Sequence, residues 1–212
     1  MTDERTAGPS EVGGLTSADM AVAQRVETSR LPPTRTTGQF GVVVFLASDV
    51  MLFGSFFAAY FLLRSTNDPW PAEGAELDTA RALVFTLVLV SSSFTMIASD
   101  RAHARGDRRM MRVWLIGTIA LGAAFLGNQI AEYTTINFQY DENVYGSMYW
   151  GLTGLHAMHV TAGLCALSLL FIRATRAKAL DEVSSWAGGV SMFWHLVDIV
   201  WIAVFVTIWV IR

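Results

Sequence analysis

The sequence is poor in cysteine, in charge and in the motifs of soluble enzymes. A single cysteine, Cys165, stands among 212 residues, so no disulfide framework can form within the chain. Charged residues make up 16% of the total, against roughly 25% in an average soluble domain. The net charge of −3 offers no basic face for nucleic acid. A P-loop, a Rossmann fingerprint and a Gly-x-Ser-x-Gly motif are absent, which disfavours nucleotide-dependent and serine-hydrolase chemistry.

What the chain has instead is apolar sequence in long runs. Hydrophobic residues account for 53% of it, and the mean hydropathy is +0.42. The charges are segregated into a tail and short loops, which is typical of a polytopic, all-α membrane protein. We predict a flexible cytoplasmic tail over residues 1–38, without a cleavable signal peptide, and a transmembrane domain over 39–212. Its five predicted membrane helices lie at about 39–63, 81–99, 113–133, 147–172 and 189–211.

The loop charges predict the orientation. The tail near the first helix, the second loop and the fourth loop together hold eleven Lys or Arg residues, whereas the opposite side holds three. Lys and Arg are retained on the cytoplasmic side of a membrane. The N-terminus is therefore expected in the cytoplasm and the C-terminus outside, as five spans require.

Three of the predicted helices carry an acid or a histidine at mid-membrane depth, by the ~1.5 Å rise per helical residue. They are Asp49 on the first helix, His156 and His159 on the fourth, and His195 and Asp198 on the fifth. An unpaired ion in hydrocarbon is strongly disfavoured, so these side chains should face the protein interior. The depth count puts Asp49 level with His156, and we expect at least one acid–histidine hydrogen bond between helices.

The residues alone leave three interpretations of this set open. A proton relay needs titratable groups with nearby partners inside the membrane. A metal or haem site needs several ligands that converge, and a His-x-x-His pair with a further histidine and two acids could supply them. The third interpretation is that the side chains are satisfied polar contacts between helices.

Four segments resemble subunit III of the haem-copper terminal oxidases. Residues 48–64 are similar to the family's Ser-Glu-Val-x-x-Phe helix with its terminal Arg, and 126–133 to its Gly-x-Gln-x-x-Glu-Tyr. Residues 145–163 are similar to Tyr-Gly-Ser followed by Thr-Gly-x-His-Gly-x-His-Val-x-x-Gly, and 193–201 to Tyr-Trp-His-Phe-Val-Asp-Val-Val-Trp. Five helices fit the short bacterial form of the family. Asp49 stands where the family most often has Glu, and Ala157 replaces the Gly between the histidines.

The resemblance implies an accessory subunit that binds no haem, copper or other metal and has no catalytic centre. It would pack against catalytic subunit I, beside subunit II, in an aa3-type cytochrome c oxidase of the bacterial plasma membrane, with a respiratory supercomplex as a further partner. It would bind phospholipid and support proton uptake and the durability of the active site. Asp49 matches the family's buried carboxylate near a lipid cleft. Arg64 and Arg81 would lie on the outer side, either at lipid phosphates or as ordinary interfacial anchors.

The same resemblance implies that the remaining polar residues form polar contacts between helices. These residues are His156, His159, His195, Asp198 and Glu132. Other assignments stay open at this point. The chain could be the related small subunit of a nitric oxide reductase or of a quinol oxidase, or a stand-alone membrane metalloprotein with histidine ligands.

Overall fold

The computed structural model describes residues 37–71, 77–177 and 181–211, and every regular element among them is helical. The predicted tail, up to residue 36, lies outside the described residues. Five helices are long and apolar enough to cross a membrane, which confirms the predicted fold class. Their bounds are α1 Thr37–Thr66, α2 Thr79–Ala104, α3 Arg108–Thr135, α4 Val144–Arg176 and α5 Asp181–Phe205, which continues as a π-helical turn over Val206–Val210.

Each helix begins earlier than its hydrophobic run predicts, and the first four also end later. Hydropathy marks the part of a helix that suits hydrocarbon, but backbone hydrogen bonding continues through polar residues until a cap ends it. Asp78, Asp107 and Asn143 are such caps at the starts of α2, α3 and α4, where each side chain accepts a hydrogen bond from a backbone N–H of the first turn. The arginine-rich loop predicted over residues 100–112 is therefore mostly helix.

The helices α2 to α5 form a closed bundle in which α2 packs on α3, α3 on α4, α4 on α5 and α5 on α2. Helix α1 lies outside this ring and contacts α4 and α5. Burial follows the same order, because 56% of the most apolar stretch of α5 is buried but only 11% of that of α1. Helix α5 is thus the centre of the fold, and α1 is its most peripheral span.

Two tryptophans on α5 connect the bundle across its middle. Both Trp194 and Trp201 are almost wholly buried. The indole N–H of Trp194 donates to Oγ of Ser92 at 3.0 Å, and that of Trp201 donates to Oγ1 of Thr86 at 3.0 Å. Because a buried indole N–H needs an acceptor, the small hydroxyl residues of α2 let these large rings lie in the core at little polar cost.

Candidate functional site

Among the described residues, one acid–histidine pair joins α1 to the four-helix bundle. Nε2 of His159 on α4 lies 3.5 Å from Oδ1 of Asp49 on α1. Their side chains are only 11% and 9% exposed. The pair is therefore shielded from bulk solvent within the membrane-spanning part, where an isolated charge is strongly disfavoured.

The histidine that contacts Asp49 is not the one that the depth count places at the same level. That count predicts His156 level with Asp49, whereas the contact is made by His159, one turn further along α4. Counting residues from the ends of hydrophobic runs ignores how far each helix continues beyond its run, so errors of about one turn arise. The sequence predicts at least one acid–histidine contact between helices without assigning its histidine, and the structure places His159 in contact with Asp49.

The ring of His159 is oriented by its own helix. Nδ1 of His159 lies 2.8 Å from the carbonyl oxygen of Leu155, which can only accept, so Nδ1 carries a hydrogen. The other ring nitrogen, Nε2, faces Oδ1 of Asp49. The backbone of α4 therefore holds the imidazole in a position that brings it to the acid of α1.

An apolar groove of about 230 Å³ lies beside this pair, between α1 and α5. Its walls include Phe53 and Phe57 of α1 and Ile199 of α5. The ring of Phe53 also packs on that of His159, with centroids 5.1 Å apart. Phe53 therefore lies between the groove and the Asp49–His159 pair.

A second polar cluster joins α2 and α5. The hydroxyl of Ser93 donates a short hydrogen bond to Oδ2 of Asp198. Nδ1 of His195 lies 3.1 Å from the same hydroxyl oxygen. Since the only hydroxyl hydrogen goes to Asp198, the ring nitrogen is the donor in the second bond. Ser93 thus connects a histidine and an acid that stand one turn apart on α5.

His156 does not make the polar contact that the resemblance implies. Its side chain is wholly buried, and neither ring nitrogen has a hydrogen-bond partner among the described residues. The ring instead packs against Trp201 with centroids 4.7 Å apart and edge-to-face against Phe125 at 5.8 Å. His156 therefore contributes as an aromatic core residue, which corrects the prediction of a polar contact at this position.

Arg81, at the start of α2, and Glu132, near the end of α3, form hydrogen bonds with neighbouring helices. Nε of Arg81 donates to Oδ1 of Asn128 at 2.7 Å, so this guanidinium is engaged with α3. Glu132 of α3 is buried and accepts a hydrogen bond from the Tyr149 hydroxyl of α4 at 3.3 Å. Arg64 lies half-buried in the last turn of α1. Arg81 and Glu132 therefore serve contacts between neighbouring helices.

Some contacts could not be anticipated from the chain. Asp100 was predicted to begin a loop, but it lies within α2 and accepts a hydrogen bond of 2.5 Å from Ser191 of α5. Ser92 and Ser93 of α2 also form hydrogen bonds with groups on α5. A serine has no sequence signal for its partner, because its short side chain suits many environments equally well.

The buried polar side chains form separate small groups and not one site at which several metal ligands meet. Over residues 37–71, 77–177 and 181–211, no three His, Cys, Asp or Glu side chains lie close enough to share a metal ion. The central set divides into an α1–α4 pair, an α2–α5 cluster and an aromatic-packed histidine. Chemically, this geometry can position titratable side chains and can join helices.

The comparisons with known proteins agree with the sequence motifs. A family model described as cytochrome c oxidase subunit III matches residues 18–211. A cytochrome c oxidase subunit 3 of Corynebacterium diphtheriae is 38% identical over 92% of this chain and 96% of its own length. A protein of the same name from Thermostichus vulcanus is 36% identical over 81% of this chain and 86% of its own. A probable cytochrome c oxidase subunit 3 of Nocardia farcinica is 37% identical, with 91% and 95% covered.

Proposed function

Because the chain belongs to the cytochrome c oxidase subunit III family, we propose that it is the accessory, non-redox subunit III of an aerobic haem-copper oxidase. The observation that carries this proposal is the family match over residues 18–211, which includes all five described helices. The partners would be catalytic subunit I, which holds haem and copper, and subunit II. The complex would reduce oxygen to water and move protons across a bacterial plasma membrane; the relatives named above are bacterial.

The geometry supports an accessory role. The titratable groups of the bundle centre are joined in small interhelix contacts, and large apolar side chains are exposed along the spans. Exposed apolar surface in a spanning helix suits lipid or another membrane subunit. In this proposal subunit I covers part of that surface, and a phospholipid chain fills the groove beside Asp49 and His159.

The Asp49–His159 pair supports a role in proton uptake by the complex. It places two titratable side chains in contact inside the membrane-spanning part, beside an apolar groove that suits a lipid chain. In this proposal the chain holds lipid in this groove next to subunit I. As a result, the catalytic subunit takes up protons faster and remains active for more turnovers.

The partner assignment is tested by purification. The full-length chain, tagged at its C-terminus and expressed from its own promoter, is extracted in mild detergent and its companions are identified by mass spectrometry. Subunits I and II should copurify in equal amounts, with the visible spectrum of haem. Recovery of the chain as a stable protein by itself would contradict the proposal, and so would haem that stays with this chain after subunit I is removed.

The functional role is tested by turnover. Oxidase complexes are prepared with and without this chain, and oxygen consumption is followed until activity decays. We expect similar initial rates but a shorter active lifetime and slower proton uptake without the chain. Adding back the wild-type gene should restore both. Equal lifetimes in the two preparations would refute the protective role while leaving the partner assignment intact.

A further inference from the structure

Titratable side chains follow the interface between α2 and α5 from one end of the bundle to its middle. The line begins where α2 ends and α5 begins, at the arginine-rich end of the bundle. Four side chains form it in spatial order: His103 and Asp100 of α2, then His195 and Asp198 of α5. Histidine and acid alternate along this line, which we call the interface series.

The members of the interface series interact in order. The side chains of His103 and Asp100 interact electrostatically, and so do those of Asp100 and His195. The hydroxyl of Ser93 connects His195 to Asp198, because it accepts from Nδ1 of the ring and donates to Oδ2 of the acid. A titratable or hydroxyl group therefore follows at each step from the helix end to mid-span.

The exposure of the series falls along its length. His103 is half-buried, and its Nε2 lies 3.1 Å from the hydroxyl oxygen of Ser184, an exposed residue near the start of α5. Asp100 and His195 are half-buried as well, whereas Asp198 is only 3% exposed. Water at the end of the bundle can therefore meet His103, while Asp198 is shielded from it.

The interface closes beyond Asp198. The next residues on the same face of α2 are Leu89 and Thr86, and the next on α5 is Trp201. Leu89 is wholly buried, and the Trp201 indole N–H donates to the Thr86 hydroxyl. None of these three side chains exchanges protons near neutral pH. The series is thus open at one end and ends at a buried acid.

Joining the two helices does not by itself require this series. The indole of Trp194 already connects α5 to Ser92, as that of Trp201 connects it to Thr86, through uncharged groups. Acids and histidines inside a membrane are disfavoured unless they have a task or a partner. Their alternation along one interface is suited to proton transfer, because each can give a proton to the next.

We propose that the interface series is a one-sided proton relay, with its entrance at His103 and with Asp198 as the site that stores one proton. In the last transfer, His195 as imidazolium gives its Nδ1 proton to the oxygen of Ser93, and the Ser93 hydroxyl gives its own hydrogen to Oδ2 of Asp198. Serine is unchanged, the imidazole becomes neutral and the carboxylate becomes a carboxylic acid. The stored proton removes a negative charge from the membrane interior, where an unpaired charge is most costly.

The relay is tested by infrared difference spectroscopy on the full-length chain together with the subunits that copurify with it. After a rapid drop in pH, the C=O stretch of a protonated carboxylic acid reports Asp198, and Asp198→Asn identifies that band by its loss. We expect Ser93→Ala to slow the appearance of the band about a hundredfold, the lower end of what a positioned proton donor contributes. Ser91→Ala, whose hydroxyl bonds only to its own helix, should leave the rate unchanged. No oxygen is reduced in this measurement, so its outcome is independent of the proposed function.

A variant at the entrance keeps the test decisive if Ser93→Ala is poorly folded. His103→Gln changes a half-buried position near the helix end, so it should fold, slow the band by a similar factor and recover speed when imidazole is added. Arg101→Gln, at an exposed position two residues away, is its control and should not slow the band.

Equal rates in the His103 and Arg101 variants would overturn the relay. An Asp198 band that is absent from the wild type, or that does not respond to pH, would overturn it too. A slowed band that imidazole fails to restore would give His103 a structural role and would contradict its place as the entrance.

Discussion

The indole ring of Trp194 lies against the bare backbone of Gly163. A Cβ atom at Gly163 would be 2.8 Å from Cε3 of the ring, closer than real Cβ contacts come. Gly122 of α3 meets the same ring, where a Cβ would lie 2.6 Å from Cη2. A glycine on α3 and a glycine on α4 therefore make room for one large side chain of α5. This contact explains why residue 163, at the end of the segment 145–163 that carries His156 and His159, is glycine.

Gly163→Ala should destabilise the bundle by about 1–3 kcal/mol, because the added methyl group forces a rigid, fully buried ring or a helix backbone to move. Gly154→Ala is the matched control on the same helix, since its Cβ would meet only the Tyr133 hydroxyl, at 4.0 Å. Unfolding in mixed detergent micelles measures both free energies. Equal stability of the two variants would show that the Trp194 contact is not tight.

The Asp49–His159 pair should behave as one energetic unit. Asp49→Leu and His159→Leu each leave the other polar group buried and unpaired, so each should cost about 1–3 kcal/mol of unfolding free energy. The double variant removes both polar groups and should lose less than the sum of the single losses, by about 1 kcal/mol or more.

A double-mutant cycle in mixed micelles measures this coupling. Asp49→Leu combined with His156→Leu is the control, because His156 makes no hydrogen bond to a described residue. That combination should be additive. Additive losses for Asp49 and His159 themselves would show that the two groups do not interact.

His156→Phe should leave stability unchanged or raise it by up to about 1 kcal/mol. A phenyl ring keeps the packing on Trp201 and Phe125. It also removes two buried nitrogen atoms that have no hydrogen-bond partner in the part of the chain that the structure describes. His159→Phe should be destabilising, because it removes the partner of Asp49. The two substitutions are chemically identical and one turn apart, so thermal unfolding of the pair isolates the role of hydrogen bonding. Strong destabilisation by His156→Phe would reveal a polar partner.

Ser93→Ala should destabilise the bundle by about 1–3 kcal/mol, since it leaves both the His195 donor and the Asp198 acceptor without their shared hydroxyl. Ser91→Ala is the control two residues away, because the exposed Ser91 hydroxyl bonds only to its own helix, at the carbonyl of Leu87. That substitution should change stability by less than about 0.5 kcal/mol. Similar effects of both would contradict the bridging role of Ser93.

Particular residues show how far the sequence predicts the site. Asp49, His159, His195 and Asp198 were expected in contacts between helices, because unpaired polar groups are disfavoured in hydrocarbon, and the structure pairs all four. The depth count placed His156 level with Asp49, but it did not identify His159 as the histidine that contacts Asp49. The lipid contact of Arg81 stays a prediction, and the structure adds a hydrogen bond from Arg81 to Asn128 that the sequence does not indicate. Which side chain a buried polar residue contacts depends on the rotation of its helix and on the neighbouring side chains. Hydropathy reports neither of these.

The sequence by itself determined the class of this protein: five spans, few charges within them, and the motifs of its family. These properties follow from short stretches of the sequence, because the length and apolarity of a run decide whether it crosses a membrane. Its charge pattern also predicts an orientation, which is still to be tested. Only the tertiary structure decided that α1 lies outside a four-helix ring, that His156 packs as an aromatic residue, and that Trp194 fits against Gly122 and Gly163. Those outcomes depend on which faces meet across helices, and packing at that level is a property of pairs of residues far apart in the chain.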